Sequence, residues 1–198
     1  MHVTLRATRG LPSLRRGTRF SAIGQAFGAA SRETFRLLHF SVQSDHLHLL
    51  VEADGPTRLA RGVQGLCIRV AKAINRVLHR RGRVWADRYH AHILATPREV
   101  RNAFVHVLSN FKKHLRGVLG LDPRSSAVWF TGWRMSVVAA LTPAPVAQAR
   151  TWLARVGWRH HGLLDVREAP RGSPHTRRSG APHWKATEAY PPRPPAAE

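Results

Sequence analysis

The chain has 198 residues, of which 43% are hydrophobic, and it carries a formal net charge of +21 at pH 7. This length and composition supply enough apolar side chains for a core, so they exclude a wholly disordered protein. Arginines outnumber lysines by 28 to 4, and a guanidinium group pairs with phosphate through two parallel hydrogen bonds. The charge therefore predicts a polyanionic partner, and nucleic acid is the first candidate.

The sequence also limits location and chemistry. No stretch approaches the roughly 18 consecutive apolar residues that a membrane-spanning helix needs, and the opening residues MHVTLRATRG lack the apolar segment of a signal peptide. We therefore expect a cytoplasmic, nucleoid-associated protein without a membrane partner. Cys67 is the only cysteine, which excludes an internal disulfide and a cysteine-based zinc site. Because no GxxxxGK[ST] loop occurs, we expect no nucleotide cofactor.

The first part of the chain predicts a strand, a helix and a hairpin. Residues 2–8 alternate apolar and polar side chains with the two-residue period of a strand. Apolar residues at helical spacing predict a helix from Phe20 to about Phe35. Two β-rich runs then flank the short polar segment 43–45, which is typical of a hairpin turn.

A long amphipathic helix should begin at Pro56 and end at Gly82. Its apolar residues form one stripe, and its basic residues gather on another side. Such a basic side is either an ordinary solvated surface or a surface that follows phosphates, and the charge surplus elsewhere favours phosphate. The predicted DNA-binding residues of this helix are Arg58, Arg61, Arg69, Lys72, Arg76 and Arg80.

A β-rich segment and a second well-marked helix follow. Thr96 is a typical helix cap, with Pro97 at the first helical position and Glu99 in the first turn, and this helix should run to about Leu115. Its polar side carries Asn102, His106, Asn110 and Lys113, and we add Lys113 to the predicted DNA-binding residues. Residues 146–157 predict a short helix. From residue 169 the composition becomes rich in Pro, Arg, Gly and Ser, which predicts a disordered basic tail.

His46 and His48 have the spacing of a two-histidine metal site. Side chains two residues apart on a strand project from the same face. Two imidazoles leave coordination positions open for an oxygen ligand, water and a substrate phosphate. An isolated pair of this kind more often has no ligand role, and His90 and His92 share the spacing. The pattern alone leaves a metal site and ordinary strand histidines both open.

Three longer segments point to a family. The segments SVQSDHLHLLVE, GLCIRVAKAINRVLHRRGRVWADRYHAHIL and PREVRNAFVHVLSNFKKH together cover about residues 35–116. In sequence and spacing they resemble the IS200-like single-strand DNA transposases, including the REP-associated tyrosine transposases, within the wider HUH endonucleases. The segments HVTLR and TWLARVGWRHHGLL extend the resemblance to residues 2–165.

The resemblance implies an α+β fold in which helices pack on a ferredoxin-like antiparallel sheet. It divides the chain into an IS200-like domain at 1–120, an extension with an aromatic loop and a short helix at 121–168, and the tail at 169–198. It also implies Mg²⁺ or Mn²⁺ held by His46, His48 and Asn110. The implied activity is cleavage and transfer of single-stranded DNA beside a hairpin by a homodimer, through a covalent link to a tyrosine.

The chain departs from the family at the nucleophile. Relatives have a tyrosine four residues before the asparagine, whereas this chain has His106 there. The chain has only two tyrosines: Tyr89 lies in the ADRYH segment and Tyr190 in the predicted tail. His106 is therefore the candidate catalytic residue, as a nucleophile, a metal ligand or a base. A silent relative that binds hairpin DNA and an RNA-binding protein remain alternatives.

Overall fold

The computed structural model describes residues 1–113, 120–137 and 142–170. The strands are β1 (His2–Arg6), β2 (Phe35–Val42), β3 (His46–Ala53) and β4 (His90–His92). The helices are α1 (Gly17–Gly28), α2 (Pro56–Val77), α3 (Pro97–Leu108) and α4 (Trp152–Arg155). Short 3₁₀ turns cover Asn110–Lys113, Ser126–Trp129 and Gly157–His161. None of the helices in these described ranges combines the length and apolar character needed to cross a bilayer.

The strands form one antiparallel sheet in the order β2-β3-β1-β4. With α1 between β1 and β2, and α2 between β3 and β4, this is a ferredoxin-like arrangement and confirms the predicted α+β fold. The predicted hairpin is also confirmed, since β2 and β3 pair directly across residues 43–45. Its turn is closed by the Gln43 amide, which donates to the His46 carbonyl at 2.8 Å.

One face of the sheet is apolar and lies under α1 and α2. Alternate residues of β1 and β3 point to this face, among them Leu5 and Leu49, which are almost completely buried. They pack against the apolar stripe of α2 and against Phe27 of α1 in a single core. A Cβ atom at Gly62 of α2 would lie 2.2 Å from the Phe35 ring, so this close approach of helix and sheet requires glycine.

The other face of the sheet lies under α3 and the C-terminal extension. Leu38 and Leu50 point to this side and share a second core with Phe104 of α3 and Trp158 of the extension. Part of the extension also follows the outer edge of β2, where the Ala147 amide donates to the Leu37 carbonyl. The extension therefore completes the second core.

A buried carboxylate ties the extension to the sheet. Glu52 of β3 accepts hydrogen bonds from the backbone amides of Arg150 and Thr151 at 2.9 and 3.0 Å. It also accepts from the Thr151 hydroxyl at 2.5 Å and from Arg36 Nε at 3.1 Å. Burial raises the pKa of the Glu52 carboxyl, but these hydrogen bonds outweigh burial and hold the pKa below its ordinary value.

Several predicted helix ends were wrong. Helix α1 ends at Gly28 rather than Phe35, because Phe35 is needed as the first buried residue of β2. Helix α2 ends at Val77 rather than Gly82, and His79 adopts a left-handed φ of 49° just beyond it. Helix α3 has the predicted Thr96 cap but ends at Leu108. Helix α4 contains only four residues. Most of the predicted tail, from residue 171, lies outside the described residues.

Candidate metal centre and nucleic-acid interface

Four histidines meet on the face of the sheet that α3 covers. His46 and His48 project from β3, His2 from the neighbouring strand β1, and His106 from α3. The register pairs Thr4 with His48 and Arg6 with His46, so strand alternation places His2, His46 and His48 on one face. His48 is the most buried of the four histidines, with only 8% exposure.

The His46 and His48 rings approach each other at their Nε2 atoms. Their Nε2 atoms lie 3.1 Å apart. The Nδ1 atom of His46 lies 2.7 Å from an Asp45 carboxylate oxygen. The Nδ1 atom of His48 lies 3.1 Å from His2 Nε2 and 3.2 Å from the Thr4 hydroxyl. Each ring is thus held in place by a contact at its Nδ1 atom, on the side away from the other ring.

This arrangement fits a divalent cation. Metal-binding histidines commonly donate their second ring N–H to an acceptor, which fixes the ring and its tautomer. Asp45 is such an acceptor for His46, and the hydrogen bond to His46 lowers the pKa of the Asp45 carboxyl. When both Nδ1 atoms carry the proton, two lone pairs face each other at Nε2, and a cation bound between them removes their repulsion.

His106 lies beside this pair. The centre of its ring is 4.6 Å from that of His48 and 5.2 Å from that of His2, and both contacts are edge to face. One ring nitrogen from each of His2, His48 and His106 lies within 4.8 Å of the other two. The structure therefore brings the predicted catalytic residue His106 to His48, one of the predicted metal ligands, and adds His2, which the sequence pattern did not mark.

Asn110 and Lys113 occupy a different local structure from the predicted one. Because α3 ends at Leu108, they begin and end a 3₁₀ turn instead of continuing the helix. Asn110 is nearly fully buried, with 2% exposure. Its role as a third metal ligand stays a prediction, as does DNA binding by Lys113, whose side chain lies outside the described part.

The predicted DNA-binding residues of α2 lie on the opposite side of the sheet from the histidines. The apolar stripe of α2 packs on the face formed by Val3, Leu5, Leu47 and Leu49, so its basic side points away from the sheet. On α2, Arg58, Arg61, Lys72 and Arg76 are exposed and Arg69 is half-buried, whereas the half-buried Arg80 lies beyond the end of the helix. A DNA strand that contacts both the basic side of α2 and the histidines must pass around an edge of the sheet.

Two other residues are removed from the histidine cluster. Tyr89 packs against the apolar core under α1 and α2, on the other side of the sheet from the histidines. His39 lies between Phe104 and Phe130 and hydrogen-bonds Ser126 Oγ at 3.0 Å. Burial lowers the pKa of His39 to about 3, so this histidine is neutral.

A cavity of about 610 Å³ borders the cluster on the α3 side. Its walls include His2 and His106, together with His92 of β4 and the exposed Arg98 of α3. The cavity leads from solvent to two of the four clustered histidines, so the cluster is accessible to a ligand or an ion.

The family model described as Transposase IS200 like matches residues 19–113. Residues 19–113 belong to the IS200-like transposase family. The searches of curated proteins and of solved structures each found no match. The matched residues include His46, His48, His106 and Asn110, whereas His2 precedes them.

The sequence contains only a weak indication that His2 belongs to the cluster. The alternating segment HVTLR places His2 and Thr4 on the same face of a strand. The pattern does not say which strand pairs with β1, and only the pairing of β1 with β3 brings His2 to His48.

Proposed function

We propose that the chain binds hairpin-bearing single-stranded DNA and cleaves it at the histidine cluster, with Mg²⁺ or Mn²⁺ held by His46 and His48. The observation that carries this proposal is the 3.1 Å distance between the two Nε2 atoms. The Nδ1 atom of His46 contacts Asp45 and that of His48 contacts His2, so both rings are held in this orientation. When bound, the ion would neutralise charge that develops on a phosphodiester. Membership of the IS200-like family supports DNA as the substrate.

The residues around the pair would position it. Asp45 fixes the tautomer and the orientation of His46, and the Thr4 hydroxyl and His2 fix those of His48. The cavity next to His2 and His106 leaves room for a nucleotide, and Arg98 in its wall supplies positive charge for a phosphate. These features support binding of a DNA strand on the α3 side of the sheet.

His106 and water are the two candidate nucleophiles, and attack by either breaks the same bond of the DNA. Attack by a His106 nitrogen would form a P–N bond and break the P–O3′ bond, leaving the 5′-phosphate on the protein and a free 3′-OH. Attack by water would break the same bond and release a 5′-phosphate and a 3′-OH. In both cases the leaving 3′ oxygen takes up a proton. Only the first path keeps the strand attached to the protein.

The test is a denaturing gel of end-labelled hairpin DNA incubated with Mn²⁺. We expect the natural chain to nick the DNA, and His46→Ala to abolish nicking while binding remains. Gln25→Ala is the control, since Gln25 is an exposed polar residue of α1, on the other side of the sheet from the histidines. A protease-sensitive adduct that His106→Ala removes would identify attack by His106, and a nick without an adduct would identify water.

Two results would contradict the proposal. Cleavage that persists after removal of all metal would exclude a metal-dependent reaction. An adduct formed only by His106→Tyr would mean an intact site that has lost its nucleophile, and a binding protein would then be the better description. The homodimer expected from the resemblance is part of the same proposal, and sedimentation with and without hairpin DNA measures it.

A further inference from the structure

The histidine cluster extends past the pair that the sequence pattern marks. His2 Nε2 lies 3.1 Å from Nδ1 of His48, the nitrogen that faces away from His46, and the His106 ring packs edge to face against the rings of His48 and His2. We propose that His2, His48 and His106 form a three-histidine site for a transition-metal ion such as Zn²⁺ or Co²⁺. This inference rests on the histidine cluster of the proposed function and gives His106 the role of a ligand.

The distances suit such an ion. Tetrahedral zinc with Zn–N bonds of about 2.0–2.1 Å places two ligating nitrogens about 3.3 Å apart. His2 Nε2 and His48 Nδ1 already lie 3.1 Å apart, and one nitrogen from each of the three rings lies within 4.8 Å of the others. Thr4 also contacts His48 Nδ1 at 3.2 Å, so zinc binding requires His48 to lose that contact and its Nδ1 proton. The three-histidine site and the Nδ1-protonated pair that would hold Mg²⁺ or Mn²⁺ are therefore alternative states of His48.

The donor chemistry favours zinc or cobalt over magnesium. Imidazole nitrogens are preferred by zinc, copper and nickel, whereas Mg²⁺ and Mn²⁺ prefer carboxylate, carbonyl and water oxygens. A set of three imidazoles therefore selects a different ion from the one implied for His46, His48 and Asn110. Three histidines with one open position are also the ligand set of many catalytic zinc sites.

The surroundings provide access and rigidity. The three ligands come from β1, β3 and α3, so the folded protein brings them together before an ion arrives. The cavity of about 610 Å³ borders His2 and His106, which gives an ion a path from solvent and room for a fourth ligand. At position 106 a histidine offers a nitrogen donor where a tyrosine would offer a phenol oxygen.

Metal titration tests the assignment. The untagged full chain is stripped with a chelator, and Zn²⁺ is then added in competition with a chromogenic chelator. We expect a single Zn²⁺ per chain and, with Co²⁺, the visible absorption of a four-coordinate site. His2→Gln and His106→Gln should each weaken Zn²⁺ binding more than about a hundredfold, beyond the tenfold to hundredfold loss typical of residues that only orient a ligand.

The matched control is His92→Gln. His92 lies opposite His2 on β4 and lines the same cavity, so the variant should retain Zn²⁺ binding, as should His46→Gln. Zn²⁺ binding that survives His2→Gln and His106→Gln but is lost in His46→Gln would overturn this inference and leave the proposed function standing. Cleavage that fails with every metal while the three-histidine pattern holds would overturn the proposed function alone.

Discussion

The two faces of the sheet differ in chemistry although the same strands build both. On β3, Leu47, Leu49 and Val51 point under α1 and α2 and are fully buried. The residues that alternate with them, His48, Leu50 and Glu52, point to α3 and the extension. The two-residue period of a strand thus separates a purely apolar face from a face that holds histidines and a buried carboxylate. Substitutions on the first face should change stability, and substitutions on the second should change chemistry as well.

The largest expected effect is a cavity on the apolar face. Phe27 of α1 is fully buried and its ring lies 4.6 Å from that of Phe40. Phe27→Ala should lower the free energy of unfolding by about 3–5 kcal/mol, measured by urea denaturation, and the folded fraction should keep its metal affinity. Phe20→Ala, at a half-buried position of the same helix, should cost much less. Equal losses in the two variants would contradict a core role for Phe27.

The next effect concerns the buried carboxylate on the histidine face. Glu52→Gln keeps the shape of the side chain but removes the charge that pairs with Arg36. We expect a loss of about 3 kcal/mol in the free energy of unfolding at pH 7. Glu33→Gln, at an exposed position, is the control and should change little.

The pH dependence of Glu52 has a defined sign. Its pKa in the folded protein lies below the ordinary value of 4.5, so its contribution is fully present above about pH 4.5 and is lost as the pH falls toward the folded pKa. Unfolding measured from pH 6 to pH 3 should therefore show a smaller acid loss in Glu52→Gln than in the natural chain. An identical acid loss in both chains would assign the effect to other groups.

A smaller effect tests the basic side of α2. If Arg61 and Lys72 contact phosphates, replacing both with alanine should reduce the salt slope of DNA binding by about two and weaken binding roughly tenfold. Fluorescence anisotropy at several salt concentrations measures both quantities. Cleavage at saturating DNA should stay unchanged, because these residues lie across the sheet from the histidines.

The control for that experiment is a pair of exposed arginines outside α2, Arg9 and Arg134. Replacing both with alanine removes the same charge. A salt slope that falls equally in the two double variants would mean that net charge alone governs binding and that α2 is an ordinary solvated surface.

The smallest effect concerns the start of α3. The Thr96 hydroxyl accepts from the Glu99 amide at 3.2 Å, and the Glu99 carboxylate accepts from the Thr96 amide at 3.0 Å. Thr96→Ala should cost about 1 kcal/mol in unfolding free energy. Thr57→Ala in the first turn of α2, where the cap residue makes no side-chain hydrogen bond, should be nearly neutral. A larger loss from Thr57→Ala would contradict this explanation.

The local parts of the structure could be predicted from the sequence. The hairpin at 43–45, the shared face of His46 and His48 and the Thr96 cap each depend on residues within one or two elements. The ends of the helices could not, because Phe35 joins the sheet and Leu108 ends α3 through contacts with the rest of the fold. The position of His2 also depends on a pairing between strands more than 40 residues apart.

The two faces of the sheet are built from different parts of the sequence, which affects the order in which they can form during synthesis. The face under α1 and α2 is formed mainly by residues before 78, all of which leave the ribosome early. Glu52 cannot form its hydrogen bonds with the backbone amides of the extension until these have been synthesised, and they lie 98 and 99 residues further along the chain. Because contacts between distant residues form slowly, the face that carries the histidines should be completed only near the end of synthesis. An unfinished chain would then have a core before it has the closed surroundings of its clustered histidines.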